Sequence, residues 1–426
     1  MAHLSDGNFG SDSSVQINSE MKAIMARANI PTVNSGMESS SVGGKVATNN
    51  SLLPAGLLKV SVYHIHQWPE VANFWAKLDE VSPYSSFYLS VEWTTAWLEI
   101  FGKLLQPDIL VFENENKVIG ICLLVRSAER RGPFRIKRIY LNTVGGDIAD
   151  RTLMEFNNLL CLRGWEEKTS KALAAHLQSL DWDEFAVEGI PPGIILDCFH
   201  ISGFSQLPPT VTTSPCYYVN LEQLRQSKIA YESSLSSNTR EQLRRSLTRY
   251  RMIGEVRLEA ASELSRAEQL FEEMCGLHQS RWEKKGEEGA FGPGRRLEFH
   301  RTLIRRAFAK GSIQLLRLAA GAETIGILYN FVKKGKVYFF QSGFNYREDK
   351  GLKPGLVTHS FAIRYCLDAG FTDYDFLAGD AQYKRSLAKD CRPLNWVVFS
   401  RPHVKLFAIE RLRAIKRRLR LGIRNA

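Results

Sequence analysis

One short string occurs twice in the chain, and it constrains the possible folds more than any other sequence feature. Residues 117–121 read KVIGI and residues 323–327 read ETIGI, about 200 residues further on. In both places the string begins the second strand of a predicted antiparallel hairpin, and predicted helices accompany each hairpin. The repeat predicts a duplicated α/β domain, although any two α/β domains can share a short string.

The chain is long enough for two domains that each bury a core. It has 426 residues, and a domain typically takes about 150. We place the first domain at residues 57–207 and the second at 208–402, because Pro208 and Pro209 interrupt the pattern between them. Residues 1–56 hold ten Ser, six Gly and six Asn but one aromatic residue, which predicts a disordered N-terminal extension.

Positive charge is concentrated at the C-terminus. The formal net charge is +11, and residues 401–426 contain nine Lys or Arg against one Glu. The rest of the chain is close to neutral, which argues against nucleic acid as a partner. Apolar residues recur at helical spacing from Ala408 to Ile423, so residues 403–426 are predicted to form a basic amphipathic helix. Such a helix can bind an anionic membrane, dock an acidic acyl-carrier protein, or pack on the last domain.

Neither a membrane span nor a metal site is expected. No apolar run approaches the roughly 20 residues that cross a bilayer, so we expect a cytoplasmic protein, peripheral to the inner membrane if the tail binds lipid. The seven cysteines are scattered and form no Cys-x-x-Cys pair. This spacing predicts reduced thiols and no metal ligands.

A basic, glycine-containing loop is the first candidate for a binding site. The sequence lacks the phosphate loop of NTPases, the dinucleotide-binding glycine motif, the zinc-protease motif and the nucleophile elbow of α/β-hydrolases. Residues 350–355 read KGLKPG, lie between a predicted strand and a predicted helix, and include Lys350 and Lys353. Glycines and a helix N-terminus can offer backbone N–H groups to a phosphate. The alternative is an exposed connector with two surface lysines.

The segment 373–385, DYDFLAGDAQYKR, carries a family resemblance. It resembles the Asp-Phe-x-x-Gly-Asp-x-x-Tyr-Lys segment of GNAT-type acyltransferases grouped with CelD-like proteins of cellulose and exopolysaccharide biosynthesis. Residues 87–102, 239–245 and 277–286 agree with that family, and the likeness covers about residues 60–400. The chain is more distantly similar to Fem-type aminoacyl ligases. The resemblance implies two tandem GNAT-like domains with mixed, largely antiparallel sheets flanked by helices.

The resemblance also implies a donor site for an acyl thioester. The pantetheine arm of acyl-CoA would lie between splayed strands at residues 337–343 and 374–377, and the pyrophosphate would lie at residues 352–356. Acyl-CoA, with an acetyl or longer acyl group, is the expected co-substrate. The residues assigned to it are Gln341, Gly343, Lys350, Gly351, Leu352, Lys353, Gly355 and Leu356.

Acyl transfer to an amine needs a base, a means of polarising the carbonyl group, and an acid for the leaving thiolate. Asp375 and Asp380 are the nearest carboxylates. Asp380 is assigned as the base or as the group that binds the amine, and Tyr383 as the acid. The alternative is that Asp380 caps a helix and Tyr383 packs. Lys384 is assigned to a phosphate or an acidic part of the acceptor.

Four further residues are candidates for acceptor binding. His278 and Trp282 share one helix face and, with Arg281, could form a wall on which a sugar stacks. The alternative is a core Trp beside a hydrogen-bonded His. Arg240 could bind a nucleotide-linked acceptor, or it could belong to a solvated basic face.

Together these features predict an N-acyltransferase that uses acyl-CoA or an acyl carrier. The amine acceptor would be a small molecule or sugar, for example an amino sugar or a precursor of a polysaccharide or the envelope. Two alternatives remain open. One is a non-catalytic GNAT-like assembly or regulatory protein at a membrane polysaccharide synthase. The other is a Fem-like ligase that depends on aminoacyl-tRNA.

Overall fold

The computed structural model describes residues 58–144, 151–205, 207–284, 286, 289–292, 294–409 and 411. These residues form two compact units. One contains Thr213–Leu394, and the other contains the preceding described residues together with the chain from Asn395 onward. The predictions for residues 1–56 and 412–426 lie outside the described residues.

The strands are numbered in chain order through both units. They are β1 Lys59–Tyr63, β2 Asp108–Asn114, β3 Lys117–Arg131, β4 Phe134–Leu141, β5 Leu160–Cys161, β6 Glu184–Ile190, β7 Thr210–Asn220, β8 Val256–Ala260, β9 Ile313–Ala320, β10 Glu323–Lys333, β11 Lys336–Phe344, β12 Asp373–Ala378 and β13 Asp390–Ser400.

The α-helices are numbered in the same way. They are α1 Trp68–Val81, α2 Val91–Trp97, α3 Lys103–Leu105, α4 Glu166–Gln178, α5 Ile194–Ile201, α6 Leu221–Ser227, α7 Tyr231–Ser234, α8 Ser237–Ile253, α9 Leu264–Glu283, α10 Arg295–Ala307, α11 Pro354–Asp368 and α12 Gln382–Leu387.

The N-terminal unit is built on a sheet of order β1-β2-β3-β4-β6-β13. Neighbouring strands of this sheet are antiparallel, except that β4 and β6 run parallel over three residue pairs beginning at Arg138 and Glu184. Helices α4 and α5 cover one face of this sheet, where a core that includes Leu173, Phe185 and Phe199 is buried. In β6 and β13 every second residue, such as Phe185 and Val187 or Val397 and Phe399, belongs to this core, because successive strand residues point to opposite faces.

The unit formed by Thr213–Leu394 repeats this plan with strand order β7-β12-β11-β10-β9-β8. Only β11 and β12 are parallel. Its core includes Leu316, Leu328, Phe339 and Val357, which joins the sheet to α11. Helix α8 begins where the Ser236 hydroxyl accepts the Thr239 backbone N–H, as an N-cap residue does.

The predicted duplicated α/β fold is confirmed, because both repeated strings lie in corresponding strands. The first begins β3 and the second begins β10, each the second strand of an antiparallel hairpin. One feature differs from the predicted boundaries. Residues 395–400 fall within the predicted second domain, 208–402, yet they pair with β6 of the N-terminal unit. The sixth strand of that unit therefore comes from the end of the chain.

Candidate functional site

A gap opens between two parallel strands of the C-terminal unit. Strands β11 and β12 pair from Lys336 and Asp373 to Tyr338 and Asp375, and the pairing ends there. Strand β11 nevertheless continues for six residues, to Phe344. The edge of β11 that follows Tyr338 therefore faces the gap rather than β12, as the resemblance implied for residues 337–343.

Asp375 shapes the end of the pairing from a buried position. Its side chain is fully buried, and its Oδ1 accepts the Leu377 N–H at 2.8 Å. Leu377 has a positive φ of 61°, and the pairing of β12 with β7 shifts register at this point. Arg392 donates to Asp375 Oδ2 at 2.7 and 3.1 Å, and Cys216 Sγ donates to Oδ1 at 3.0 Å. The contacts of Asp375 thus hold the bulge in place.

Aromatic side chains pack around a buried histidine below the gap. The His359 ring of α11 lies 4.5 Å from Phe339 and 5.2 Å from Phe376, between ring centroids. His359 Nδ1 lies 3.2 Å from the Tyr374 hydroxyl, and among the described residues Nε2 has no hydrogen-bond partner. Burial lowers the pKa of His359 to about 3, helped by the charge of Lys384, so the imidazole is neutral.

Tyr383 and Lys384 lie on α12 beside this cluster. The Tyr383 ring stacks on His359 with centroids 5.9 Å apart, and its hydroxyl is shielded from solvent. Lys384 is buried, and its Nζ donates to the carbonyl oxygens of Leu377 and Ala378 at 3.1 and 2.5 Å. In this arrangement the ammonium of Lys384 binds the end of β12.

Asp380 is exposed, in contrast to Asp375. It accepts the Tyr217 hydroxyl at 2.8 Å and pairs with Arg385. The Tyr217 hydrogen bond and the Arg385 charge outweigh partial burial, so the pKa of Asp380 is below its usual value. A carboxylate with a lowered pKa is a weak base and a good partner for an ammonium group.

The basic loop before α11 is tied to α8 by its own backbone amides. Gly351 N–H donates to Asp349 Oδ1 at 2.8 Å, and Leu352 N–H donates to the Asp349 carbonyl at 3.0 Å. Lys353 N–H donates to Ser246 Oγ at 2.9 Å. Arg249 pairs with the Asp349 carboxylate at 2.5 Å, and the hydrogen bond from Gly351 contributes most to lowering the pKa of Asp349. A carboxylate of the chain thus occupies the place expected for an anion.

The remaining donor-site candidates differ in exposure. Lys350 is exposed, Gly355 is half-buried, and Leu352 and Leu356 are buried. Gln341 is buried on β11, and its Oε1 accepts the N–H of Ser342 at 3.0 Å. Burial lowers the pKa of Lys353.

Gly343 holds β11 close to helix α9. A Cβ at this position would lie 2.4 Å from the Met274 carbonyl oxygen and 2.9 Å from Leu277 Cβ, so only glycine fits without a shift. The position therefore sets the distance between strand and helix.

The candidate acceptor residues do not form an exposed wall. His278 is buried, its Nε2 accepts the Ala290 N–H at 3.2 Å, and its Nδ1 lies 3.1 Å from the Ser342 carbonyl oxygen. Burial lowers the pKa of His278 to about 4. Trp282 is fully buried, whereas the Arg281 guanidinium stacks 3.8 Å above the Tyr346 ring.

Arg240 lies apart from these residues, on the exposed surface of α8, and donates to the Leu235 carbonyl oxygen at 2.5 Å. Of the four residues, Arg281 and Arg240 keep part of the side chain accessible.

Sequence reasoning missed His359, Asp349 and Ser246. His359 lies five residues after Pro354, within a helix whose apolar pattern gave no reason to single it out. Ser246 and Asp349 take part because α8 packs against a loop about 100 residues later: Ser246 accepts the Lys353 N–H, and Arg249 of α8 pairs with Asp349. Among the described residues, no group of His, Cys, Asp and Glu is arranged to hold a metal ion. No helix in the described part of the chain is both long enough and apolar enough to cross a membrane.

Comparisons with known proteins agree with this geometry. Residues 237–385, about a third of the chain, match the family model described as an acetyltransferase (GNAT) domain. This segment of the chain is therefore similar to a GNAT-type acetyltransferase domain. No curated protein matches the sequence significantly.

Three solved structures illustrate the fold. FemX has 10% sequence identity and a TM-score of 0.51, over 76% of this chain and 95% of its own. The L-PGS of Bacillus licheniformis has 10% identity and a TM-score of 0.44, over 72% and 90%. A tandem GNAT protein from the clavulanic acid biosynthesis pathway has 10% identity and a TM-score of 0.38, over 80% and 98%. At this identity the likeness to FemX shows a shared fold and nothing further.

Proposed function

We propose that this protein is an N-acyltransferase that binds an acyl thioester in the gap beyond Tyr338 and Asp375. The observation that carries the proposal is the early end of the β11–β12 pairing while β11 continues to Phe344. This gap lies within the segment that matches a GNAT acetyltransferase domain. An unpaired strand edge offers N–H and C=O groups to an extended ligand, as in recognition by β-strand addition.

A pantetheine arm suits this edge because it is extended and carries two amide groups. The amides would pair with the backbone of residues 339–341, because the Ser342 N–H is already bonded to Gln341 Oε1 and the Ser342 carbonyl oxygen lies 3.1 Å from His278 Nδ1. The apolar part would contact the aromatic cluster around His359. The thioester supplies the acyl group and a thiolate that leaves once the amine has attacked. The chain's own residues bind the arm, exclude water through the aromatic packing, and place proton donors and acceptors.

Asp380 is proposed to hold the acceptor rather than to act as a strong base. Its lowered pKa keeps it ionised, so it can bind the ammonium form of the acceptor. The amine then loses its proton to solvent, attacks the thioester carbonyl, and forms the new C–N bond as the C–S bond breaks. Tyr383, shielded beside His359, is proposed to give its hydroxyl proton to the leaving thiolate and to regain a proton from the attacking nitrogen, which loses its second proton as the amide forms.

The loop before α11 bears on the identity of the donor. The amides of Gly351, Leu352 and Lys353 are hydrogen-bonded within the chain, and the Asp349 carboxylate lies beside them. In this conformation these three amides do not offer their N–H groups to the pyrophosphate of acyl-CoA. The loop therefore favours a donor that presents the pantetheine arm without a pyrophosphate at this point, as an acyl-carrier protein does.

A second candidate is an aminoacyl-tRNA donor. The occupied loop amides favour it as well, because that donor also lacks a pyrophosphate. The acceptor is proposed to be an amine on a small molecule or sugar, and the likeness to CelD-like proteins remains the reason to test amino sugars first.

The test measures thiol release with an amino-sugar acceptor from two donors, acyl-CoA and the matching S-acyl pantetheine. If the loop does not bind pyrophosphate, kcat/KM is expected to be similar for the two donors. Asp349→Ala is expected to shift the preference toward acyl-CoA, because it removes the carboxylate and frees the Gly351 amide. Tyr383→Phe is expected to lower kcat by about 10²-fold or more, as for loss of a general acid.

Gln382→Ala, an exposed neighbour on the same helix, is the matched control and should leave the rate unchanged. Full activity of both Tyr383→Phe and Asp380→Asn would remove these residues from the mechanism. Release from neither thioester, with transfer from aminoacyl-tRNA, would favour the second candidate. Absence of transfer from every donor would point to a protein with this fold and a non-catalytic role.

A further inference from the structure

The N-terminal unit contains a cavity of about 280 Å³ that no residue of the proposed acyltransferase site lines. Its floor is formed by side chains of β4, β6 and β13 that alternate with core residues such as Phe185 and Phe399, so they lie on the face opposite α4 and α5. Residues 207–212 and the helical segment 404–409 form its walls. The residues that the argument uses are Arg131, Arg138, Glu184, Glu188, Thr212 and Phe407.

The floor is a network of buried, oppositely charged side chains. Arg131 donates to both carboxylate oxygens of Glu184 at 2.6 and 2.7 Å, and Arg138 Nε donates to Glu184 at 2.8 Å. Arg131 also pairs with Glu129 at 3.1 Å, and Arg151 pairs with Glu188. The network holds three arginines and three glutamates, so these six side chains have no net charge. All six side chains are at most 13% exposed.

Stability is a poor explanation for such a floor. Burying charged groups carries a desolvation penalty, and apolar side chains of similar volume often give equal or greater stability. Burial opposes ionisation of Glu184, yet the hydrogen bonds and charges of Arg131 and Arg138 outweigh it and lower its pKa. Every carboxylate therefore stays paired, and the cavity retains a fixed set of donors and acceptors next to open space.

The charged side chains are already paired with one another, and this limits the chemical class of ligand that the cavity can bind. Glu184 and Glu188 would repel an anion, and the arginines would repel a cation. A zwitterion would have to break existing ion pairs. A hydroxyl group both donates and accepts, so it can use the spare lone pairs and N–H groups while every ion pair stays intact.

The wall residues and the volume of the cavity restrict the class of ligand further. Thr210, Thr212 and Ser400 add hydroxyl groups, whereas Trp396, Phe407 and Leu406 add aromatic and aliphatic surface. One ligand face would thus meet polar groups and another an apolar wall. The volume lies at the lower limit of the roughly 300–1,000 Å³ typical of ligand pockets, which suits a single ring and excludes a nucleotide.

We propose that this cavity binds a neutral, hydroxyl-rich ring: one monosaccharide unit, either free or at the end of a glycan. The cavity wall is fixed to its own unit. Lys405 Nζ pairs with Asp183 Oδ2 at 2.5 Å, and Arg401 donates to the Leu177 and Leu180 carbonyl oxygens at 3.0 and 2.9 Å. The proposal does not depend on acyl transfer, since it uses none of the residues assigned to that reaction.

The test is ligand-observed NMR on the full chain with millimolar probes. The panel contains neutral methyl glycosides of common hexoses and N-acetylhexosamines, with glycine, inorganic phosphate and acetate as charged probes. We expect at least one neutral sugar to bind. Thr212→Val removes one hydroxyl at constant volume, and Phe407→Ala removes an aromatic side chain that is 62% exposed. Each is expected to weaken sugar binding about tenfold, the effect of one hydrogen bond or contact.

Two matched controls use neighbours that do not line the cavity. Val211→Ala adjoins Thr212 on β7, and Val404→Ala lies one turn before Phe407, where its side chain is 81% exposed. Both should bind the sugar as the wild type does. Because Phe407 is exposed, its variant is expected to fold even if Thr212→Val does not. Binding of glycine, phosphate or acetate without any sugar would overturn the proposal, as would failure of the whole panel or unchanged sugar affinity in both cavity variants.

Discussion

Replacing Arg392 by Met tests the most consequential buried interaction of the C-terminal unit. Arg392 makes two hydrogen bonds to the fully buried Asp375 and stacks 4.0 Å above the Tyr218 ring. Burial opposes the charged form of Arg392, but Asp375 and Asp373 outweigh it and raise its pKa. Without the guanidinium, Asp375 keeps a charge in the core with only Cys216 and a backbone amide as partners.

The expected loss in the free energy of unfolding follows from the burial of the Arg392–Asp375 ion pair. Removing one member of a buried ion pair costs about 3–5 kcal/mol. The Arg392 side chain is 27% exposed, so water reaches part of the interaction, and the lower end of about 3 kcal/mol is expected. The matched control is Arg385→Met, which breaks an Arg–Asp pair whose side chains are 46% and 58% exposed. This variant is expected to lose no more than about 1 kcal/mol.

Hydrogen exchange measured by mass spectrometry on peptides from β11 and β12 provides the assay, because it reports the stability of this unit directly. Arg392→Met is expected to speed exchange of the most protected amides by about a hundredfold, and Arg385→Met by less than tenfold. Equal effects of the two substitutions, or a change below tenfold for Arg392→Met, would refute the assignment of Asp375 as a buried, paired carboxylate.

Further predictions concern packing, pH and the tail. Gly343→Ala is expected to destabilise the protein by about 1–3 kcal/mol, because the new Cβ meets the Met274 carbonyl oxygen. The control Gly276→Ala has open space around the new Cβ and is expected to be neutral or stabilising. Urea denaturation of both variants measures the difference. Burial lowers the pKa of His300 to about 3 from 6.5, so it destabilises the folded state as the pH falls below 6.5. In His300→Phe, the loss of stability between pH 6.5 and 5 should be smaller by up to about 1.4 kcal/mol per pH unit; an unchanged slope would contradict this. If the basic tail binds an anionic membrane, removing residues 412–426 abolishes sedimentation with anionic liposomes; unchanged sedimentation would leave docking of an acidic carrier protein or packing on the last domain.

Much of the fold is predictable from the sequence because its signals are local. The repeated strings each begin a strand of a hairpin, and the turn residues between the strands mark where the chain reverses. The pairing of residues 395–400 with β6 has no such signal. That contact joins segments about 200 residues apart, and its register depends on the shape of a sheet already formed.

The candidate site was predictable in position but not in detail. The segment 373–385 indicates a strand end with three aspartates, and the structure places Asp375 in the core and Asp380 in solvent. That difference arises from Arg392, which follows on another strand and pairs with Asp375. Likewise, the loop glycines suggested free amides, whereas Asp349 accepts the Gly351 N–H within the loop and Ser246 of α8 accepts the Lys353 N–H. Partners distant in sequence decide which polar groups remain available.

The most direct test of the central claim is hydrogen exchange of β11 with and without a thioester donor. If an acyl thioester binds along the edge beyond Tyr338, S-acyl pantetheine or an acyl-carrier protein should slow exchange of amides in residues 339–344. The hairpin at residues 108–125 of the N-terminal unit should be unaffected. No change in residues 339–344 with any thioester, including acyl-CoA, would contradict the proposed donor site.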